Sequence, residues 1–490
     1  MNEQPKVSNR TKYSYAMSGI GRDMMYALYS TYLIVFFTDA LGLPNWELIM
    51  VGTIIAVARI WDAINDPIMG VIIDNTKTRF GKFKPWILIG ALSSAVVFFL
   101  LFQDLNLMGT AFVVVFAFLY ILSGMTFTMN DISYWSMYPS LTSDPKEREK
   151  IGSLARIFAS LGMFITIALV PIIYQNFGGG PKKAFSVIAL VIGIIFVISQ
   201  IGLFFGVKEQ KNIISNVKQE KTRFRDMLKI IFKNDQLVVI IIAIFLFNTG
   251  YFITTSLGIY FFNYDFNKYG GIEFTLFSVV LAVSQLSALI LFPMLAKKMS
   301  RRKIFTMAIG MITVGYALFM SVGYVFPMNM LTIGLAGLVL FSGQGFIQVL
   351  VLVMLADTIE YGQWKLGTRN ESVVFAINPF VTKLATSVQT FVVTVTLAVS
   401  GLNNRVIQPV TQAKDANPGM SNDDVRALIA SNVTEPMLLG LRTSMIVIPL
   451  LLIIISYLIY RFKYKIDSKF YSQITKELTE RILSQDETMQ

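Results

Sequence analysis

Asp62, Asn65 and Asp66 stand three and four residues apart within an apolar run, so a helix would present two carboxylates and an amide on one face. Two carboxylates stacked in a low-dielectric interior repel each other, and one stays protonated unless a cation lies beside them. A hard monovalent ion such as sodium prefers oxygen donors: carboxylates, amide carbonyls and hydroxyls. Arg59, three residues before Asp62, offers the alternative of a plain structural ion pair. A second cluster, Thr128, Asp131 and Trp135, also has spacings of three and four. A carboxylate accepts hydrogen bonds from adjacent hydroxyls and an indole covers the apolar face of a pyranose, a pairing suited to a polyhydroxylated ligand. Thr128 could lend its hydroxyl to the cation, while Arg156 on the next apolar run could pair with Asp131 in a purely structural way. Arg22 and Asp23 follow Gly19 and Gly21, which permit close helix approach. Lys383 is the lone central charge of the chain's second half.

The elements that must hold these residues are membrane helices. Of 490 residues, 54% are hydrophobic and 15% charged, with a mean hydropathy of +0.60. Apolar stretches fall near 14–38, 46–73, 86–103, 109–138, 152–174, 184–206, 237–262, 273–296, 304–325, 329–356, 371–401 and 437–460. A helix needs about 20 residues to cross a ~30 Å hydrocarbon core, and the alternating strands of a barrel are missing here. Thirty-one of the 42 Lys and Arg fall in segments expected on the cytoplasmic side and six on the other. That asymmetry predicts twelve crossings with both ends inside. The five remaining basic residues, Arg22, Arg59, Arg156, Lys383 and Arg442, lie within spans, as do Asp23, Asp62, Asp66 and Asp131. Each costs about 2.5–3.5 kcal/mol at a helix centre and so demands a reason. For Arg442, near a span end, pairing or reach to the surface suffices.

The expected architecture is an all-α membrane protein of twelve transmembrane helices in two six-helix, pseudo-symmetric halves, the major facilitator arrangement with its site between the halves. The division is residues 1–206 for the first half, 207–236 for a basic central cytoplasmic loop, 237–460 for the second half, and 461–490 for a solvated amphipathic tail. The outer segment 402–436 reads as a polar loop with room for a short helix, and no role is assigned to it. The first apolar stretch is too long for a signal-peptide core.

Several classes drop out. Without cysteine or histidine there is no thiolate chemistry, no disulfide and no imidazole ligand, and no nucleophile motif points to an enzyme. The net charge of +12 belongs to loops that fix topology, so no nucleic acid is expected as partner.

The motifs RIWDAINDPIMG (59–70), RFGKFKPWILIG (79–90), KERE (146–149), KNDQ (233–236) and DTIEYG (357–362) resemble those of the glycoside–pentoside–hexuronide:cation symporter family. The resemblance covers nearly the whole chain. It implies symport of a sugar or glycoside with Na⁺, Li⁺ or H⁺ by alternating access, in the cell membrane, with no other cofactor and as a monomer. It places the cation on Asp62, Asp66, Asn65 and Thr128. It places the sugar on Asp23, Asp131, Trp135 and Arg156, with Arg22 and Lys383 more peripheral. Gln348 stands where a family member has a sugar-facing tryptophan, so one stacking wall is absent, and Arg22 replaces a lysine. Asp357 and Glu360 are expected to pair with loop arginines. A proton-coupled drug antiporter on the same scaffold is the alternative; it requires an apolar, aromatic pocket.

Overall fold

The computed structural model describes residues 7–142, 145–207, 231–266, 269–367, 371–417 and 419–489. Residues 208–230 of the expected central loop lie outside the described residues. Helices carry the fold, and ten helical stretches among the described residues are long and apolar enough to cross a membrane. The first two expected spans fall on further long helical runs. One begins with α1 (Asn9–Ala27) and continues through π-helical turns at Leu28–Tyr32 and Phe36–Ala40. The other is α2 (Asn45–Asn75), whose 31 residues reach about 46 Å at 1.5 Å per residue.

Packing groups the chain into two compact units that do not follow chain order. Unit one comprises Met1–Gln219, Asn267–Thr275 and Thr394–Met437; unit two comprises Glu220–Phe266, Leu276–Val393 and Leu438–Gln490.

In unit one, α1 and α2 are joined by α3 (Lys84–Leu101), α4 (Gly109–Met137), α5 (Pro145–Asn176) and α6 (Gly180–Gly206). Ser8 starts α1 by accepting from the Thr11 amide, and Pro85 opens α3 where a missing N–H costs nothing. Gly21 is where α1 meets α6: a Cβ there would lie 2.6 Å from Phe196 Cα, so only glycine brings the neighbouring Arg22 this deep. On the other side, Tyr15 stacks on Tyr134 with ring centres 4.4 Å apart, and its hydroxyl donates to the Tyr134 carbonyl at 3.1 Å. Asn130, next to Asp131, donates to the Ile87 carbonyl at 2.9 Å and to Gln200 Oε1 at 3.2 Å. Gln200 in turn donates to the Ser18 carbonyl at 2.9 Å. Amides buried in an apolar bundle are costly unless bonded, so this network holds α1, α3, α4 and α6 in one register around the charges.

The outer segment 402–436 is more ordered than expected for a loop. It forms a π-helical turn at Asn403–Ile407, α12 (Gln408–Ala416) and α13 (Asn422–Asn432), because Val406, Ile407, Val410, Val425 and Ile429 give it a buried face. Asn403 donates to the Leu43 carbonyl and to Asn45 Oδ1, both at 2.9 Å. Lys182 bridges Asp104 at 3.0 Å and Asp415 at 2.8 Å. Lys414 is buried, donating to the Tyr269 hydroxyl. Burial lowers its ammonium from 10.5 to about 8, with Asp39 opposing the shift. A lysine depressed this way binds its proton more weakly folded than unfolded, so stability contributed here rises with pH between about 8 and 10.5. Lys414→Met should therefore stabilise the protein at pH 7, by up to about 3 kcal/mol, and flatten the difference in melting temperature across that window. Melting curves of both proteins from pH 7 to 10 check this, and a less stable variant at pH 7 refutes it.

Unit two is built from α7 (Asp235–Tyr260), α8 (Gly271–Lys298), α9 (Arg301–Ser321), α10 (Met330–Leu366), α11 (Glu371–Val399), and α14 (Glu435–Arg442) running through a π-helical turn into α15 (Ile448–Lys463). A capping box from Asn329 starts α10, and Gly367 at φ 72° ends it. Arg442 does not reach for the surface: only 3% exposed, it contacts Asp265 at 2.5 and 3.0 Å and the Val322 carbonyl at 2.7 Å. Asp357 pairs with Arg301 as expected. The tail forms α16 (Ser468–Met489), which is docked and not merely solvated. Ile474 is fully buried, Phe470 packs edge-on to Trp364, and the Trp364 indole donates to Glu477 at 2.6 Å.

Candidate functional site

Unit one brings most of the candidate residues onto three helices. Asp62 and Asn65 are buried on α2. Across from them, Gly124 on α4 has no side chain because none fits comfortably: a Cβ would sit 3.0 Å from Asp62 Oδ1. One turn further along α4, Thr128 Oγ1 donates to Asp66 Oδ1 at 3.0 Å. Successive turns of α4 therefore meet successive carboxylates of α2, the register that spacings of four residues on both helices permit.

Arg59 donates to Asp62 Oδ2 at 2.8 Å and to the Tyr120 hydroxyl at 3.3 Å. Tyr29 stacks on Tyr120 with ring centres 5.3 Å apart. The structural pair with Asp62 is thus present. Asn65 Nδ2 is buried without a hydrogen-bond partner. An unsatisfied amide in a membrane interior is costly, and such a group marks a place where a ligand or water completes the bonding. Two carboxylates, a hydroxyl and an amide form an all-oxygen donor set fit for a hard monovalent cation once the amide presents its oxygen.

The second cluster centres on Arg22. Its guanidinium bonds Asp23 Oδ2 at 3.0 and 3.2 Å and Asp131 Oδ1 at 3.3 Å. It also lies 4.3 Å from the centre of the Tyr134 ring and 4.8 Å from that of Trp135. Buried on all sides, this cation fixes two carboxylates and an indole from α1 and α4 in one place. Asp131 and Asp23 keep 30% and 22% of their side chains exposed, and Trp135 is 45% exposed. An aromatic wall beside two accessible carboxylates and an arginine suits a ligand rich in hydroxyls. Arg156, on α5, is exposed.

Lys383 and Gln348 belong to unit two, on α11 and α10, and both are half-buried. The sequence reading missed Tyr120, Gly124 and Tyr134. The first two continue the Thr128 face backwards at intervals of four, so extending the helical stripe by two turns would have found them. Tyr134 carried no such signal: its role under Arg22 depends on how α1 crosses α4.

The family model described as MFS/sugar transport protein matches residues 14–468. A lactose permease from Leuconostoc lactis is 31% identical over 489 residues, covering 96% of this chain and 72% of the permease. An isoprimeverose transporter from Lactiplantibacillus pentosus is 32% identical over 380 residues, 76% of either chain. Among solved structures, a bacterial homologue of the human lysosomal transporter Spinster superposes with a TM-score of 0.59 at 10% identity, covering 95% of this chain and 97% of that one. At that identity it speaks for the fold alone.

Proposed function

This chain belongs to the glycoside–pentoside–hexuronide:cation symporter family of the major facilitator superfamily, and from that premise we propose that it imports a glycoside together with one monovalent cation. The observation that carries this reading is the polar face that α2 and α4 share: Thr128 donates to Asp66 at 3.0 Å, and the Asn65 amide nitrogen is buried without a hydrogen-bond partner. A ligand that completes such a group removes a cost that a membrane helix tolerates poorly.

The cation, Na⁺, Li⁺ or H⁺, sits with Asp66 and Thr128, completed by Asp62 and Asn65. The sugar hydroxyls bond Asp131 and Asp23, its ring lies on Trp135, and Arg22 and Arg156 supply donors. Cation binding on α2 draws α4 into its working register through Gly124 and Thr128, and Asp131 rides on the same helix. Each ligand then strengthens the other's binding by the same factor, as linkage requires, and the doubly loaded carrier is the form that changes access. The substrates named for two relatives, lactose and isoprimeverose, are disaccharides, and a disaccharide or comparable glycoside is the class proposed here. The sugar passes through chemically unchanged, as befits a carrier and not an enzyme. Export of drugs against protons is not favoured, because the exposed groups of the second cluster are carboxylates beside an indole. The carrier works as a monomer in the cell membrane with both termini cytoplasmic, the orientation the basic loops prescribe.

Uptake of a panel of labelled disaccharides and methyl glycosides into vesicles, with imposed sodium, lithium or proton gradients, tests the reading. At least one sugar should accumulate above its outside concentration under one of these gradients. Uptake of none, or equilibration that no cation gradient alters, would overturn it. Accumulation that ignores sodium and collapses with the proton gradient assigns the proton.

A further inference from the structure

Within unit one, α2 and α4 also meet at their N-terminal ends, far from the cation contacts. Glu47, in the first turn of α2, accepts the Gly109 amide at the start of α4 through Oε1 at 2.6 Å. Glu47 is only 4% exposed, and its Oε2 is buried without a hydrogen-bond partner. Gly109 enters the helix at φ 64°, a left-handed conformation that glycine adopts freely. The first amides of a helix lack partners within it and carry the positive end of its dipole, so a carboxylate there makes a charge-assisted bond. In apolar surroundings that bond is stronger than in water.

The spacing gives this bond a wider consequence. Gly109 stands 62 residues beyond Glu47, and Thr128 stands 62 beyond Asp66. Gly124, which faces Asp62, has the same separation. Helices whose partners advance together at a constant separation run in the same direction without slip, here over about 28 Å from Glu47 to Asp66. A slip of α4 by one residue's rise, about 1.5 Å, would misdirect the Thr128 hydroxyl and carry Gly124 off Asp62. Lipid is as apolar as the facing side chains of two membrane helices, so hydrogen bonds between the helices help to fix their register. This end of α2 is itself held: Asn45 donates to the Ala398 carbonyl at 3.2 Å and accepts from Asn403 at 2.9 Å. Glu47 thus ties α4 to a fixed point.

We propose that Glu47 is a positioning residue for the cation site, setting from the far end of α2 the register in which α4 brings Gly124 and Thr128 to Asp62 and Asp66. This assignment rests on the cation-symport reading above and extends it to a residue that touches neither ligand.

Binding of a labelled sugar to the purified full-length carrier tests it, titrated with Na⁺, Li⁺ or protons, whichever activates the wild type. In Glu47→Leu, which offers the Gly109 amide no acceptor, the cation concentration for half-maximal sugar binding should rise about tenfold. Glu47→Gln keeps an oxygen within reach but loses the charge, and should raise it about threefold. Sugar affinity at saturating cation should stay within about twofold in both, because the bound cation itself restores the register. Glu47→Gln is nearly isosteric and carries the test should the leucine variant fail to fold. A merely structural role would lower the melting temperature and weaken sugar binding equally at every cation concentration. That pattern overturns the proposal, as does an unchanged cation requirement in every variant that folds. A wild type whose sugar binding no cation alters overturns the symport reading instead.

Discussion

Asp66→Asn should leave a folded carrier whose sugar uptake no longer responds to a cation gradient. Coupling between two ligands is commonly worth a factor of 5–150 in affinity, and the variant should lose about that much cation stimulation. The substitution is nearly isosteric and keeps an oxygen facing Thr128 Oγ1, 3.0 Å away in the native protein, so what disappears is the charge. Asp62→Asn should behave differently. Asp62 is bonded to Arg59 at 2.8 Å, and neutralising it strands a guanidinium among Tyr120 and Tyr29. Losing one partner of a buried pair costs about 3–5 kcal/mol, so this variant should lose thermal stability as well as coupling. Removing both charges, in Arg59→Met with Asp62→Asn, should recover much of the stability and none of the coupling. Cation-dependent binding of labelled sugar, measured beside melting curves of the purified proteins, separates the two effects. Undiminished cation-driven accumulation in Asp66→Asn would dismiss the assignment.

The second large effect is expected at Asp131. Its carboxylate touches Arg22 at 3.3 Å while 30% of the side chain remains exposed, and charge-assisted hydrogen bonds contribute about 1.5–3 kcal/mol each. Asp131→Asn should therefore weaken sugar binding about 100-fold or more. Arg22 stays compensated by Asp23 at 3.0 Å, so melting behaviour should change little. Arg22→Lys is the informative companion. A lysine keeps the charge but replaces a planar fork that spans two carboxylates and rests on two aromatic rings by a point donor. Sugar affinity should fall to an intermediate level through misplacement of Asp131 and Trp135. Isothermal binding of the sugar at saturating cation reads both variants. An Asp131→Asn carrier with native affinity would remove this residue from the sugar site.

Membrane helices were legible along the chain because the physics that selects them is local. A run of about 20 apolar residues has one stable home in a bilayer, and the distribution of lysine and arginine orients it. The candidate residues were legible for a related reason: a charge inside such a run is expensive, so Asp62, Asp66 and Asp131 announce themselves. Their shared helix faces follow from helical periodicity. Partner choice was legible for Arg59 with Asp62 and for Asp357 with a loop arginine, but not elsewhere. Arg22 takes Asp131 because Gly21 seats α1 against α6. Gly124 matters because it lies opposite Asp62. Tyr251 gathers Gln285 from another helix 34 residues away. Each depends on how helices distant in the chain cross.

The outer segment and the tail teach the same lesson from the other direction. Their polar composition suggested solvated chain, yet α12 and α13 bury an apolar edge within unit one, and α16 buries Ile474 against its neighbours. Short amphipathic helices gain stability from the surface they dock on and not from intrinsic propensity, so composition alone undervalues them. By itself the sequence determined the helical class, the membrane setting and which residues bear the costly charges, since hydropathy, periodicity and the cost of burying charge act over a few turns. Beyond those two pairs, only the tertiary structure decided which charge meets which, because pairing is a property of surfaces brought together by packing.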